Sequence, residues 1–159
     1  MFVFAHYLES DFDTICLFIE GIQDHERVSV PELKPGPEIA VDYASDVVRR
    51  VTENDGVILL VWQDDRPVAF ASSWVDIDAD LLLEEEARAH AYVSDIYVSE
   101  SARRQGIASE LLRRLENEML ARGCRRMRIC TKASNRQALE CYLSSGYNPY
   151  EITLSKMLD

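Results

Sequence analysis

Apolar and polar positions change period several times along the chain, and each period predicts an element. Phe2, Phe4 and the segment to Tyr7 read as a first strand, and Ser10 or Asp11 is placed to cap a helix whose apolar positions are Ile15, Phe18 and Ile19. Pro31, Pro35, Gly36 and Pro37 interrupt regular structure before a second helix from about Glu38 to Thr52. Asn54-Asp55-Gly56 is a turn. The runs Val57 to Trp62 and Val68 to Val75 are β-branched or apolar, and Gln63 to Pro67 between them predicts a hairpin.

Asp76 to Glu86 is an acidic linker with room for one helical turn at Leu81 to Leu83, and Ala89 to Val98 reads as a long strand at the centre of the sheet. Alternation along that strand puts His90, Tyr92, Ser94, Ile96 and Val98 on one face, and Asp95 and Tyr97 on the other. The chain then turns from Ser99 to Gln105 into its clearest helix. Ala108, Leu111, Leu112, Leu115 and Met119 share one face of it, Glu110 and Arg114 stand i,i+4, and Gly123 is positioned as a left-handed C-terminal cap. Met127 to Thr131 predicts a strand, Asn135 to Ser145 a short helix ended by Gly146, and Tyr147 to Met157 a final strand. This order predicts one domain of α/β (α+β) class, a mixed sheet sandwiched by helices.

Composition adds limits. A chain of 159 residues that is 47% apolar has the size of one domain with one sizeable core. It lacks an uninterrupted apolar run of about 18 to 20 residues, and Met1 to Glu9 lacks a secretory pattern, so a soluble cytoplasmic protein with no membrane partner is expected. Cys16, Cys124, Cys130 and Cys141 are scattered without a CxxC pair, and His6, His25 and His90 are isolated. Free thiols and no metal are therefore expected. The net charge of −11 argues against nucleic acid as a partner, because phosphates need a positive surface. Charge is also divided: residues 1–100 carry 22 acids and 6 bases, residues 101–159 carry 6 acids and 11 bases.

The junction of strand, turn, glycine and helix at Ile96-Tyr97-Val98 and Arg103-Arg104-Gln105-Gly106-Ile107-Ala108 carries the chemistry. A glycine and a small residue at a helix start let backbone approach a ligand closely, while free N–H groups and the positive helix end hold an anion. R-x-x-G-x-A has few fixed positions and is also met as an ordinary turn before a core helix. Ten of the seventeen basic residues, however, lie between Arg103 and Arg136, which suits a cofactor with several phosphates.

Arg103-x-x-Gly106-x-Ala108 resembles the pyrophosphate-binding motif of the GNAT acetyltransferases, and Asn135-x-x-Ala138-x-x-x-Tyr142-x-x-x-Gly146-Tyr147 resembles their second motif, in the right order. The likeness runs over about residues 68 to 150 and is topological before that. It implies a mixed central sheet of about six to seven strands flanked by about four helices. It further implies acetyl-CoA as cosubstrate, transfer of its acetyl group to an amine, and a possible homodimer through the last strands. On matching residues, Ile96, Tyr97 and Val98 would offer backbone to the pantetheine arm, and Arg103, Arg104, Gln105, Gly106, Ile107, Ala108 and Ser109 would surround the pyrophosphate. Asn135 would touch the arm beyond it, and Tyr142 would protonate the departing thiolate.

Those residue types suit direct attack of an amine on a thioester. A fixed N–H stabilises the oxyanion, and a tyrosine that stays protonated at neutral pH serves as general acid. Tyr142 also has a plainer reading, a tyrosine packed at the core edge; Cys141, about 100° away on the helix, is read as core. The general base stays open among His90, Asp95 and a glutamate of Glu84-Glu85-Glu86 acting through water, or the amine arrives neutral. Some members of the family have a glutamate where Ser94 stands. The charge division suggests a small cationic amine as acceptor. The alternatives are acetylation of a protein N-terminus or lysine, or a CoA-binding sensor domain without turnover.

Overall fold

A computed structural model describes residues 1–158. Five strands form one sheet in the order β1 (Phe2–His6), β2 (Val57–Gln63), β3 (Arg66–Ile77), β4 (Ala89–Val98) and β5 (Met127–Ile129). Neighbours are antiparallel except for the parallel pair β4–β5. The helices are α1 (Phe12–Arg27), α2 (Gly36–Glu53), the single turn α3 (Glu85–Arg88), α4 (Ile107–Ala121) and α5 (Arg136–Ser144). The β2–β3 hairpin closes through Asp64 and Asp65, at φ 50° and 61°, a two-residue turn whose left-handed residues match the strand twist.

Both faces of the sheet are covered, so the central strands read as continuous apolar runs. Val57, Leu59 and Val61 of β2 pack with Ile107, Leu111, Leu115 and Met119 of α4, whereas Ile58 and Leu60 pack with Ile15, Phe18 and Ile19 of α1 and Ala44 and Val47 of α2. The α4 face is as expected, except that Ile107 takes the buried place and Ala108 is only half-buried. No helix among the described residues is long and apolar enough to cross a membrane.

Three expectations are corrected. The sheet has five strands where about six to seven were expected, because Tyr147 to Met157 forms no strand. Pro149 removes a backbone donor there, and Tyr150 is held by guanidinium groups, with Arg128 4.5 Å and Arg126 6.0 Å from its ring and Arg128 Nη2 donating to its hydroxyl at 3.2 Å. The helical turn of the acidic linker forms at Glu85–Arg88, beyond Leu81 to Leu83. The third correction matters most for the site. Ser72 pairs with Asp95 and Ser73 with Val93, which leaves Ser94 without a partner on β3. Such a bulge exchanges the faces of a strand. Ile96 and Val98 therefore pack with Ala91 and Val93 on the α4 side, whereas on the α1–α2 side Tyr92 meets Trp74 and Tyr97 meets Phe18.

Candidate active site

Above Val93, β4 and β5 part. The parallel pairing covers Ala91, Tyr92 and Val93 alone, while on its other edge β4 stays paired with β3 up to Val98 opposite Ala69. Ser99 N–H donates to Val68 O on the β3 side, so alternation turns the peptide groups of Ile96 and Val98 toward the open edge. A cleft of about 660 Å³ occupies the gap, within the range for cofactor and small-molecule sites.

At one end of the cleft α4 begins. Gly106 is its N-cap at φ 78°, and no side chain caps the first turn. A Cβ added at Gly106 meets no atom within 4 Å, so the space before the helix is open. Arg104 is also left-handed, at φ 59°. The amides of Ile107, Ala108 and Ser109 lie in the first turn, before any intrahelical bond, an arrangement of donors suited to an anion such as phosphate. Arg104, Lys132 and Asn135 line the cleft around it. Arg103 turns back to the strand, its Nε donating to Val98 O at 3.0 Å, and so fixes the loop against the open edge. Gln105 lies outside the lining; its Nε2 donates to Ser101 O at 3.4 Å. The other expected residues, Ile96, Tyr97, Val98, Gly106, Ile107, Ala108, Ser109 and Tyr142, all line the cleft. Acetyl-CoA fits this chemistry: uncapped amides and Arg104 stand at one end, and beside them is a strand edge that β5 leaves unpaired beyond Val93, with Val98 O taken by Arg103.

The α5 wall carries Tyr142. Asn135 Oδ1 caps this helix by accepting from Ala138 N–H at 3.1 Å, and Gly146 at φ 92° ends it. Tyr142 is buried, and burial pushes its hydroxyl well above the ordinary tyrosine value, with Cys141, Glu26 and Asp95 adding to the shift. Cys141, expected in the core, instead lines the cleft half-buried, with Sγ 3.8 Å from Ser109 Oγ. A nine-residue helix at the rim presents a face wide enough for both neighbours.

Of the opposite wall, the sequence singles out only Asp95, as a base candidate. Gln23, His25 and Glu26 of α1, Ile39 and Tyr43 of α2, and Tyr92, Ser94 and Asp95 of β4 close it. Asp95 is 7% exposed and accepts hydrogen bonds from Ser72 Oγ at 3.0 Å and Tyr43 Oη at 3.2 Å. Burial raises its carboxyl above the ordinary range against those bonds. Of the other base candidates, His90 is buried outside the cleft with Nδ1 3.0 Å from Arg88 O, and Glu84, Glu85 and Glu86 are exposed on the linker. Ser134 Oγ donates to Ser29 Oγ at 3.0 Å, joining the loop after α1 to the loop before α5. The bulge and the helix pairing that build this wall depend on contacts distant in sequence, and no local signal marked Tyr43.

Several solved structures share this fold. Among solved structures, a GCN5-related N-acetyltransferase from Ralstonia eutropha JMP134 superposes with TM-score 0.76 at 15% identity, over 99% of each chain. A predicted acetyltransferase with acetyl-CoA from Clostridium acetobutylicum gives 0.74 at 17% identity, over 99% of this chain and 96% of that one. An aminoglycoside 6'-N-acetyltransferase from Acinetobacter baumannii gives 0.71 at 14% identity, over 100% and 99%. These likenesses establish the fold. No curated protein matches the sequence. The model of the acetyltransferase (GNAT) family matches residues 19–147, across both motifs, the parted strands and the uncapped helix, and the chain belongs to that family.

Proposed function

We propose that this protein moves the acetyl group of acetyl-CoA directly onto the nitrogen of a small cationic amine. The observation that carries the reading is the presence, in one cleft, of an uncapped α4 N-terminus, the β4 edge at Ile96 and Val98 that β5 leaves unpaired, and Tyr142. Acetyl-CoA supplies the activated acyl group as a thioester. Gly106 to Ser109 and Arg104 bind its phosphates, the open edge orients the arm, and a peptide N–H of Ile96 or Val98 faces the carbonyl oxygen. Tyr142, held protonated by burial, donates its proton to the departing sulfur. No residue is asked to take up the acetyl group.

One feature of the acceptor side supports a cationic amine. Glu26 and Asp95 line that side, and negative potential draws cations. The Asp76 to Glu86 linker adds no acid to the lining. The test is thiol release from acetyl-CoA with short diamines and aminoglycosides, beside neutral amines and peptide N-termini. Cationic amines should be used best, with a KM that rises with salt. Preference for neutral amines, or a salt-independent KM, would sink the acceptor assignment.

A further inference from the structure

The acceptor wall holds a connected set of polar groups that the transfer step as described leaves unused. Asp95 stands one residue past the bulge, turned to the α1–α2 side and almost sealed. Ser72 Oγ, fully buried, donates to Oδ2, and Tyr43 Oη donates to Oδ1 and lies 3.4 Å from Ser94 Oγ. Tyr43 itself is 39% exposed and lines the cleft. The phenol is thus the accessible end of the pair and the carboxylate its buried end.

From this geometry we infer that Tyr43 relays a proton from the incoming ammonium group to Asp95, which frees the amine lone pair for attack; the inference rests on the amine-acetylation reading above. The ammonium N–H proton passes to Tyr43 Oη as the Tyr43 O–H proton passes to Asp95 Oδ1. One N–H and one O–H bond break and two O–H bonds form. The positive charge of the amine and the negative charge of the carboxylate are both extinguished, and no further reactant is needed. Tyr43 is the catalytic group. Asp95 is the positioning residue behind it that receives the proton, and Ser72 holds its far oxygen.

The proton affinities fit. Burial raises the Asp95 carboxyl, which makes it a better acceptor, and raises Tyr43, which keeps the phenol protonated so that it passes a proton without holding charge. The groups facing the pair are Glu26 of α1, Ser72 of β3, Tyr92 and Ser94 of β4, and Tyr142 of α5. Glu26 raises Asp95 further, and Tyr92, pushed up to about 12 mainly by burial, is neutral in the working range.

Tyr43→Phe and Asp95→Asn test the relay, with thiol release from acetyl-CoA in the presence of 1,4-diaminobutane or neamine from about pH 6 to 10, and calorimetry of acetyl-CoA binding. Tyr43→Phe should lower kcat/KM by about 10²-fold near neutrality and leave acetyl-CoA affinity unchanged. The deficit should shrink toward pH 10, where amines arrive neutral. Asp95→Asn should show the same pH-dependent deficit and the double variant no greater one, as for residues that act as a unit. If Asp95→Asn does not fold, the Tyr43→Phe profile decides alone. Wild-type rates in Tyr43→Phe, a deficit equal at every pH, or lost acetyl-CoA affinity would overturn the relay. A wild-type protein that binds acetyl-CoA and releases no thiol with any amine would remove the underlying reading as well.

Discussion

The two walls of the cleft are made differently. The wall assigned to the cofactor is essentially one stretch, Arg103 to Ser109, and works through backbone: a left-handed glycine, an uncapped first turn and a strand edge. The wall assigned to the acceptor is gathered from α1, α2 and β4 and works through side chains, Glu26, Tyr43 and Asp95, with Ser72 of β3 bonded to Asp95 behind it. A backbone site tolerates most side-chain changes and fails where bulk enters it. A side-chain site fails by loss of single polar atoms, and its effects should depend on pH and on the amine.

The largest effect should come from filling the backbone wall. Gly106→Glu puts bulk and negative charge into space that is empty within 4 Å, and calorimetry should detect no acetyl-CoA binding. The φ of 78° adds strain of about 1–3 kcal/mol for any side chain, so a lower melting temperature is expected as well. Gly106→Ala bears similar strain without the charge and should retain much of the affinity. If Gly106→Glu folds and binds acetyl-CoA as the wild type does, the phosphate assignment is wrong.

Next is Tyr142, on the α5 wall. Tyr142→Phe keeps the ring, which lies 6.3 Å from that of Tyr147, and removes one hydroxyl. Stability should change little, while kcat and kcat/KM fall together by about 10²- to 10⁴-fold with acetyl-CoA affinity preserved. Unlike the Tyr43→Phe deficit, this one should persist at high pH, because a neutral amine does nothing for the leaving thiolate. Single-turnover rates equal to wild type would make Tyr142 a packing residue.

The contrast between the walls also explains what the sequence reveals. Fixed spacing within Arg103-x-x-Gly106-x-Ala108 and Asn135 to Gly146 is local, and local geometry follows from it. The strand Ala89–Val98 is likewise found residue for residue. Its faces are not, because one unpaired residue, Ser94, is set by the register against Ser72 and Ser73 and leaves no mark on strand periodicity. That slip moves Tyr92 away from Ile96 and Val98 and lets Tyr43 reach Asp95. The last strand fails for a similar reason: alternation at Ile152 and Leu154 says that a strand is possible, whereas pairing requires an edge, and Tyr150 is drawn instead to Arg126 and Arg128.

The smallest effect concerns the helix that carries the cofactor wall. Glu110 accepts from Arg113 Nε and Nη2 at 2.8 and 2.7 Å and from Arg114 Nε at 2.8 Å, and these guanidinium groups hold its carboxyl down at about 2. A folded value below the ordinary carboxylate range adds stability that is present above that range and lost as pH falls through about 2. The pairs are partly exposed, so solvent screens them, and each is worth about 0.3–0.5 kcal/mol. Glu110→Gln should therefore lower stability by well under about 1 kcal/mol at neutral pH and low salt, and the difference should vanish near pH 2 or at high salt. Thermal melts across pH measure it. Acetyl-CoA affinity should stay within about threefold of wild type, since the carboxylate lost was already neutralised by two arginines. A stability loss comparable to the 2–5 kcal/mol typical of truncating a buried leucine such as Leu111 or Leu115 would mean that charge pairing, not the apolar face, seats α4. The backbone wall would then depend on side chains after all, and the contrast drawn between the two walls would fail.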